Sequence, residues 1–175
     1  SSNEEVICLD NFITGSLTNI KHHLSNPNFK LINHDVIDKP PNIISERIWH
    51  LACPASPEKY QLDPVNTSKT CFIGTYNMLK LALKNKSTFL IASSSEIYGN
   101  PKSHPQSEEY EGSVDTSSIR ACYEEGKRIA ETLCFDFNRK HNIDIRIARI
   151  FNAYGPRMAK EDGRVISNFI VQALK

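Results

Sequence analysis

A 175-residue chain that is 39% hydrophobic and 23% charged has enough apolar surface for one core and an ordinary globular composition. Its 21 basic and 20 acidic side chains leave a formal net charge of +1. No whole-molecule field therefore draws it to nucleic acid or to an anionic membrane, and an anionic ligand has to be recognised locally. No apolar run approaches the roughly 20 residues that span a bilayer, and no signal-peptide pattern opens the sequence.

Compact β-rich runs alternate with longer helical ones, which predicts βαβ units and a parallel, doubly wound sheet in one α/β domain. Strands are expected over 5–10, 29–35, 47–53, 88–93 and 143–150, each a compact apolar run, as suits strands covered on both faces. The first starts almost at Ser1, abruptly for a complete domain. Asp63 followed by Pro64 is a helix start, the carboxylate able to cap and the ring suited to the first helical position, and that helix is expected to run to about Lys86. The stretch 99–117, with Pro101, Pro105, several serines and Glu108-Glu109, has no periodicity and reads as a long loop beside a strand end, where α/β folds often carry function. Ile119, Cys122, Ile129, Leu133 and Phe137 recur at helical spacing and predict a helix over 118–141. A further helix opens near Gly163 and runs to Lys175. The five cysteines, Cys8, Cys53, Cys71, Cys122 and Cys134, lack metal-ligand or redox-motif spacing and read as reduced thiols. The six histidines offer no spaced ligand set, so no metal is expected.

Tyr123 and Lys127 stand four residues apart in the helix predicted over 118–141, on one face. A nearby ammonium favours phenolate, so the pair is expected to bring the tyrosine below its usual pKa of about 10 and make it a base. Two surface residues of a helix show the same spacing by chance, so the pair alone is weak. About 30 residues upstream, a predicted buried strand ends in Ser93-Ser94-Ser95-Glu96, three hydroxyls and a carboxylate. A serine-rich turn explains the serines but not their coincidence with the Tyr-Lys pair, because ligands of parallel sheets bind beyond the carboxyl ends of the strands.

A hydroxyl at a strand end followed by Tyr-x-x-x-Lys resembles the extended short-chain dehydrogenase/reductase superfamily. Longer strings look like one family within it, the UDP-glucuronate decarboxylases: His50-Leu51-Ala52-Cys53-Pro54-Ala55-Ser56-Pro57, Cys122-Tyr123-Glu124-Glu125-Gly126-Lys127-Arg128, Ala148-Arg149-Ile150-Phe151-Asn152-Ala153-Tyr154-Gly155-Pro156-Arg157-Met158 and Asp162-Gly163-Arg164-Val165-Ile166-Ser167-Asn168-Phe169-Ile170. The resemblance implies a Rossmann-like domain that uses NAD on a UDP-sugar. It implies that Asp10, with Asn11, Thr14 and Gly15 beside it, accepts from the adenosine ribose; an acid there repels a 2′-phosphate and favours NAD over NADP. It places Asp35 and Val36 at the adenine and Leu51, Cys53, Lys69, Thr70 and Ala92 along the rest of the cofactor path.

The same resemblance makes Tyr123 the base and has Lys127 hold the phenol and the nicotinamide ribose. Ser94 is expected to bond the reacting C4 oxygen, and Ser95 with Glu96 to orient the sugar. Tyr60, Asn152 and Arg164 are substrate-side candidates, and Arg157 is a further one for an anionic group. Oxidation at C4 creates a carbonyl β to the carboxylate, so carbon dioxide leaves, and return of hydride gives UDP-xylose. Dehydratases of similar fold have an acid where this chain has Ser95, and epimerases lack the carboxylate of Glu96. An epimerase, a 4,6-dehydratase and a catalytically silent binding module are the competing readings. Cys71 stands where these enzymes commonly place asparagine. None of the seven glycines forms a G-x-G-x-x-G cluster. Because the ribose aspartate follows that motif by about 20 residues, the first strand, glycine turn and first helix are expected to precede Ser1, and most of the C-terminal substrate region to follow Lys175. The family also implies a homodimer through helices that follow the fourth and fifth strands. A cytoplasmic enzyme is expected, with a membrane-anchored luminal form left open by the missing start.

Overall fold

The computed structural model describes residues 4–175. Five strands alternate with helices: β1 (Val6–Asp10), β2 (Phe29–Asn33), β3 (Arg47–His50), α1 (Pro57–Tyr60), α2 (Pro64–Lys69), α3 (Thr75–Asn85), β4 (Thr88–Ser94), α4 (Ala121–His141), β5 (Ile145–Ile150) and α5 (Val165–Ala173). All strand pairing is parallel, which agrees with the α/β expectation. It divides into two sheets, β1 with β2 and β3-β4-β5, the latter with β4 in the middle. Among the described residues no strand pairs with the second edge of β1 or of β3.

The central position of β4 is written in its side chains. Phe89 and Ile91 are fully buried, and they meet Met78, Leu79, Leu81 and Ala82 of α3 and Ala130 and Cys134 of α4 in one core. Each large side chain removed from water there stabilises the fold by about 1.5–3 kcal/mol. Val36, just beyond β2, and Leu9 of β1 join the same core and tie the two-stranded sheet to it.

Local chemistry fixes the helix ends. The Asp63 carboxylate accepts from the Asn66 N–H at 2.9 Å, with Pro64 opening α2 as expected. Lys86 and Asn142 close α3 and α4 in the left-handed conformation, and Arg139, Lys140 and His141 place positive charge at the negative end of the α4 dipole. The helix expected over 64–86 is not uniform: a π-helical turn, Thr70–Gly74, separates α2 from α3. Hydrophobic spacing could not show it, because the turn keeps helical direction and merely widens it by a residue.

The stretch 99–117 is irregular, as predicted, but firmly tied. Gly99 has φ +58°, and a Cβ there would lie 2.1 Å from the Ser113 carbonyl oxygen, so only glycine lets the two segments bridge. The Arg128 guanidinium donates to the carbonyls of Ile97 and Glu111, and that of Arg149 donates to the Glu108 carbonyl at 2.7 Å. The strands expected over 29–35, 47–53 and 143–150 are shorter: β2 ends at Asn33 before the polar His34 and Asp35, β3 ends at His50 although the apolar run continues through Leu51-Ala52-Cys53, and β5 begins at Ile145, after Ile143 has entered the core. No helix among the described residues is long and apolar enough to cross a membrane.

Candidate active site

The carboxyl end of β4 turns at Ser94 into a short 3-10 segment, Ser95–Tyr98, with the Ser94 hydroxyl accepting from the Glu96 N–H at 3.2 Å. The first turn of α4 brings Tyr123 over this strand end, and the second brings Lys127. All three side chains are buried, Ser94 at 8%, Tyr123 at 5% and Lys127 at 6% exposure. The Ser94 hydroxyl lies close enough to the phenol to favour its ionised form. The Lys127 ammonium donates to the Ala92 carbonyl at 2.8 Å and lies 5.6 Å from the Tyr123 ring centroid.

The expected activation of the phenol by Lys127 is not what this arrangement gives. Burial is the largest influence and pushes the Tyr123 pKa up to about 12, with the Cys53 thiol adding to the rise and Ser94 opposing it. Lys127 spends a hydrogen bond on Ala92 and stands beside the ring rather than at the phenol oxygen, and desolvation of the phenolate outweighs what remains.

Tyr60 closes the site from the other side. Its ring stacks on Tyr123 with centroids 4.9 Å apart and planes 6° from parallel. It is 1% exposed, and its hydroxyl is buried without a hydrogen-bond partner among the described residues. A buried hydroxyl so placed costs stability until something pairs with it, which fits a polar ligand atom arriving here. A cleft of about 120 Å³ between the end of β5 and α5 is lined by Asn152, Tyr154, Met158, Arg164 and Ser167 among others, so it brings Asn152 and Arg164 together. Arg164 is gripped by Asp162, Nη2 to Oδ2 at 2.9 Å, which holds the Asp162 carboxyl below its usual range.

Glu96 is held by Arg120, which also approaches Glu124 at 3.4 Å. Sequence reasoning missed Arg120, whose partner lies 24 residues away across a loop with no pattern of its own. It also missed the anchor behind the site. Glu131, 5% exposed, accepts from Ser93 and takes a two-pronged ion pair from Arg149, Nη2 to Oε2 at 2.9 Å and Nε to Oε1 at 3.1 Å. The Ser95 side chain makes no hydrogen bond among the described residues, and Ser95 is half-buried.

At the end of β1 the Asp10 carboxylate accepts the Phe12 N–H through Oδ1 at 2.7 Å, while Oδ2 makes no hydrogen bond among the described residues. A Cβ on Gly15 would sit 3.1 Å from that Oδ2, so glycine keeps the carboxylate open to a ligand. Asn11 donates to Asp35 at 2.9 Å and joins the ends of β1 and β2. Thr14 stands exposed nearby in the sequence. An acceptor of this kind at a parallel strand end suits a ribose diol. Val36 points elsewhere, into the core, and Leu51 is 59% exposed. Lys69 is exposed, and the Thr70 hydroxyl donates back to the Asn66 carbonyl at 2.9 Å. Cys53 lies half-buried against Cys71. Among the described residues no cluster of potential metal ligands occurs.

A family model described as NAD dependent epimerase/dehydratase family matches residues 1–175. UDP-glucuronic acid decarboxylase 3 of Arabidopsis thaliana is 56% identical over 171 residues, which cover 98% of this chain and 50% of that protein. UDP-glucuronic acid decarboxylase 1 of Xenopus tropicalis is 53% identical over 171 residues, 98% of this chain and 40% of that protein. The chain thus spans half or less of the length of these curated relatives. Among solved structures, a dTDP-glucose 4,6-dehydratase of Streptomyces venezuelae with NAD and TYD bound matches with a TM-score of 0.86 at 22% identity, over 99% of this chain and 53% of that one, a likeness of fold.

Proposed function

We propose, from the premise that this chain belongs to the NAD dependent epimerase/dehydratase family, that its 175 residues form one α/β domain carrying the catalytic base of a UDP-glucuronate decarboxylase. The convergence of Tyr123, Lys127, Ser94 and Tyr60 at the carboxyl end of β4 carries the reading. The relatives that share more than half its residues, named as UDP-glucuronic acid decarboxylases, support the choice of substrate.

Asp10, with Asn11, Thr14 and Gly15, would hold the adenosine ribose of NAD; Asp35 and the backbone at Val36 would flank the adenine. Leu51, Cys53, Lys69, Thr70 and Ala92 would line the remaining path. Bound NAD supplies a reversible hydride acceptor for C4 of the sugar. Tyr123 takes the C4 hydroxyl proton, and Ser94 donates to the oxygen from which it comes. Lys127, tied to the strand at the Ala92 carbonyl and standing beside the Tyr123 ring, would orient the phenol and hold the nicotinamide ribose. Ser95 and Glu96 orient the ring, the latter fixed by Arg120. A carbonyl at C4 lies β to the sugar carboxylate, so carbon dioxide departs with its bonding electrons delocalised into an enolate; protonation then gives the 4-ketopentose, and reduction at C4 by the hydride taken in the first step would restore the hydroxyl and give the UDP-pentose. Asn152 and Arg164 face the substrate from the cleft before α5.

Tyr60 offers its unpaired hydroxyl to the substrate. Tyr60→Phe is expected to leave the melting temperature unchanged or slightly raised, since a buried unpaired hydroxyl is removed, while KM rises about tenfold, the worth of one hydrogen bond. Equal loss of stability and affinity would refute that role.

A homodimer through the helices that follow the fourth and fifth strands in the family's own count, here the helices after β3 and β4 over 64–85 and 121–141, fits the exposure of Val65, Phe72, Tyr76, Ile129 and Phe135. The five free thiols suit the cytoplasm. Incubating the intact protein with UDP-glucuronate and NAD tests the reaction: carbon dioxide and UDP-xylose in equal amounts are expected. A 4-epimer, a dehydrated sugar or no turnover overturns it.

A further inference from the structure

Cys53 and Cys71 are 18 residues apart in sequence, one following the carboxyl end of β3 and the other inside the π-helical turn, yet their sulfurs lie 3.3 Å apart. Neither is cross-linked. Cys71 is 2% exposed, whereas Cys53 is half-buried. Helix α4 rests directly on Cys71. A Cβ at Gly126 would lie 2.9 Å from both the Cβ and the Sγ of Cys71, and Gly126 immediately precedes Lys127. The packing therefore leaves no slack between Cys71 and the helix that carries Tyr123 and Lys127.

We propose that Cys53 and Cys71 are an oxidative modification site, a dithiol that a peroxide closes to a disulfide, and that closing it displaces the Tyr123-Lys127 turn of α4 and switches the site off. The pairing of a half-buried cysteine with an enclosed one divides the work. Cys53 attacks the peroxide: an S–O bond forms, the O–O bond breaks, and hydroxide leaves. The Cys71 thiol gives its proton to that hydroxide, and its sulfur attacks the sulfenic sulfur. The S–S bond forms, the S–O bond breaks and a second hydroxide leaves, taking a proton from solvent. Two thiols lose two electrons in all, and peroxide is reduced to two waters. An external dithiol reverses the process by two exchanges. The Cys71 hydrogen bond and the Lys127 ammonium favour thiolate at Cys53, the form that attacks, against the opposing effect of burial. A disulfide draws its sulfurs to about 2.0 Å, more than an ångström closer than they stand here. The π-helical turn moves with Cys71 and pulls on Gly126.

The oxidation is independent of which sugar the site accepts, and peptide mapping reads it without any turnover; only the loss of activity rests on the reaction proposed above. The reduced, intact protein is exposed to stoichiometric hydrogen peroxide, its remaining thiols are alkylated, and the digest is mapped by mass spectrometry. A peptide pair joined through Cys53 and Cys71 is expected, with decarboxylation falling about a hundredfold as the link forms, the effect of a displacement of about 1 Å, and returning on addition of dithiothreitol. Cys71→Ser is expected to give no link and to keep under peroxide the activity it has without it; Cys122→Ser is expected to give the link as before. Linkage to Cys122, over-oxidation of Cys53 without a link, or a link that leaves turnover intact overturns the proposal. The wild-type map decides the first point even if Cys71→Ser folds poorly. If the protein forms the link but never decarboxylates UDP-glucuronate, the reaction assignment fails while the thiol pair stands.

Discussion

Tyr123→Phe lowers decarboxylation by about a thousandfold, the middle of the range for removing a general base, with little change in folding. The ring keeps its stacking on Tyr60 and its burial, so packing survives. What disappears is one hydroxyl next to Ser94, the group assigned to take the proton at that strand end. The pH profile distinguishes this from a general loosening of the site. Because burial holds the phenol in its neutral form, with the pKa near 12, phenolate is scarce at neutral pH and its share grows about tenfold per pH unit. The base-dependent step in the wild-type protein therefore accelerates with rising pH across the neutral range, and the phenylalanine variant loses that slope along with the rate. A variant that keeps the slope at lower amplitude would assign the proton to another group. Measuring kcat against pH for both proteins, with melting curves alongside, checks the two claims together.

The parts of this site that sequence exposes are those joined by short-range spacing. Tyr123 and Lys127 share a helix face because four residues make one turn, and Ser94 ends a strand whose apolar run is unmistakable. Asp63 and Pro64 announce a helix for the same reason: a capping carboxylate acts on the backbone three residues away. What stayed hidden depends on contacts made at a distance. Arg120 to Glu96, Arg149 to Glu131 and Cys53 to Cys71 each join elements that only the fold brings together, and charge or thiol content alone gives no partner. The raised pKa of Tyr123 belongs with these. A lysine four residues on gives the sign of one influence, but the burial that outweighs it comes from Tyr60 and the strand ends, 30 to 60 positions upstream. Likewise, an apolar run marks where a strand is and not how many of its residues enter the ladder, which is why β3 stops at His50 while the run continues.

Glu131→Ala unfolds the protein at a temperature about 10 °C lower, the second large effect expected. Glu131 lies one turn past Lys127 on α4 and is bound to Ser93, the neighbour of Ser94, so one carboxylate fastens the helix that bears the base to the strand that bears the hydroxyl. It also neutralises Arg149, whose guanidinium is pushed further toward permanent charge by that contact and is about a quarter exposed. Removing the carboxylate leaves a largely enclosed cation without its counter-charge, a loss of about 3–5 kcal/mol for a buried pair broken on one side. Each kcal/mol lowers the midpoint of a domain of this size by about 2–4 °C. Glu131→Gln keeps an acceptor for Ser93 and loses only the charge, so it should fall between wild type and alanine. The combination of Glu131→Leu with Arg149→Met removes both charges and should recover part of the loss, though not the ties from Arg149 to Tyr98 and Glu108 that steady the loop over 99–117. Thermal denaturation of the four proteins separates these contributions, and an alanine variant as stable as wild type would show that the pair adds nothing. Well below the unfolding transition, kcat should follow the same order, because the distance from Tyr123 to Ser94 is set by a helix that Glu131, together with Lys127, ties by hydrogen bond to the strand carrying Ser93 and Ser94.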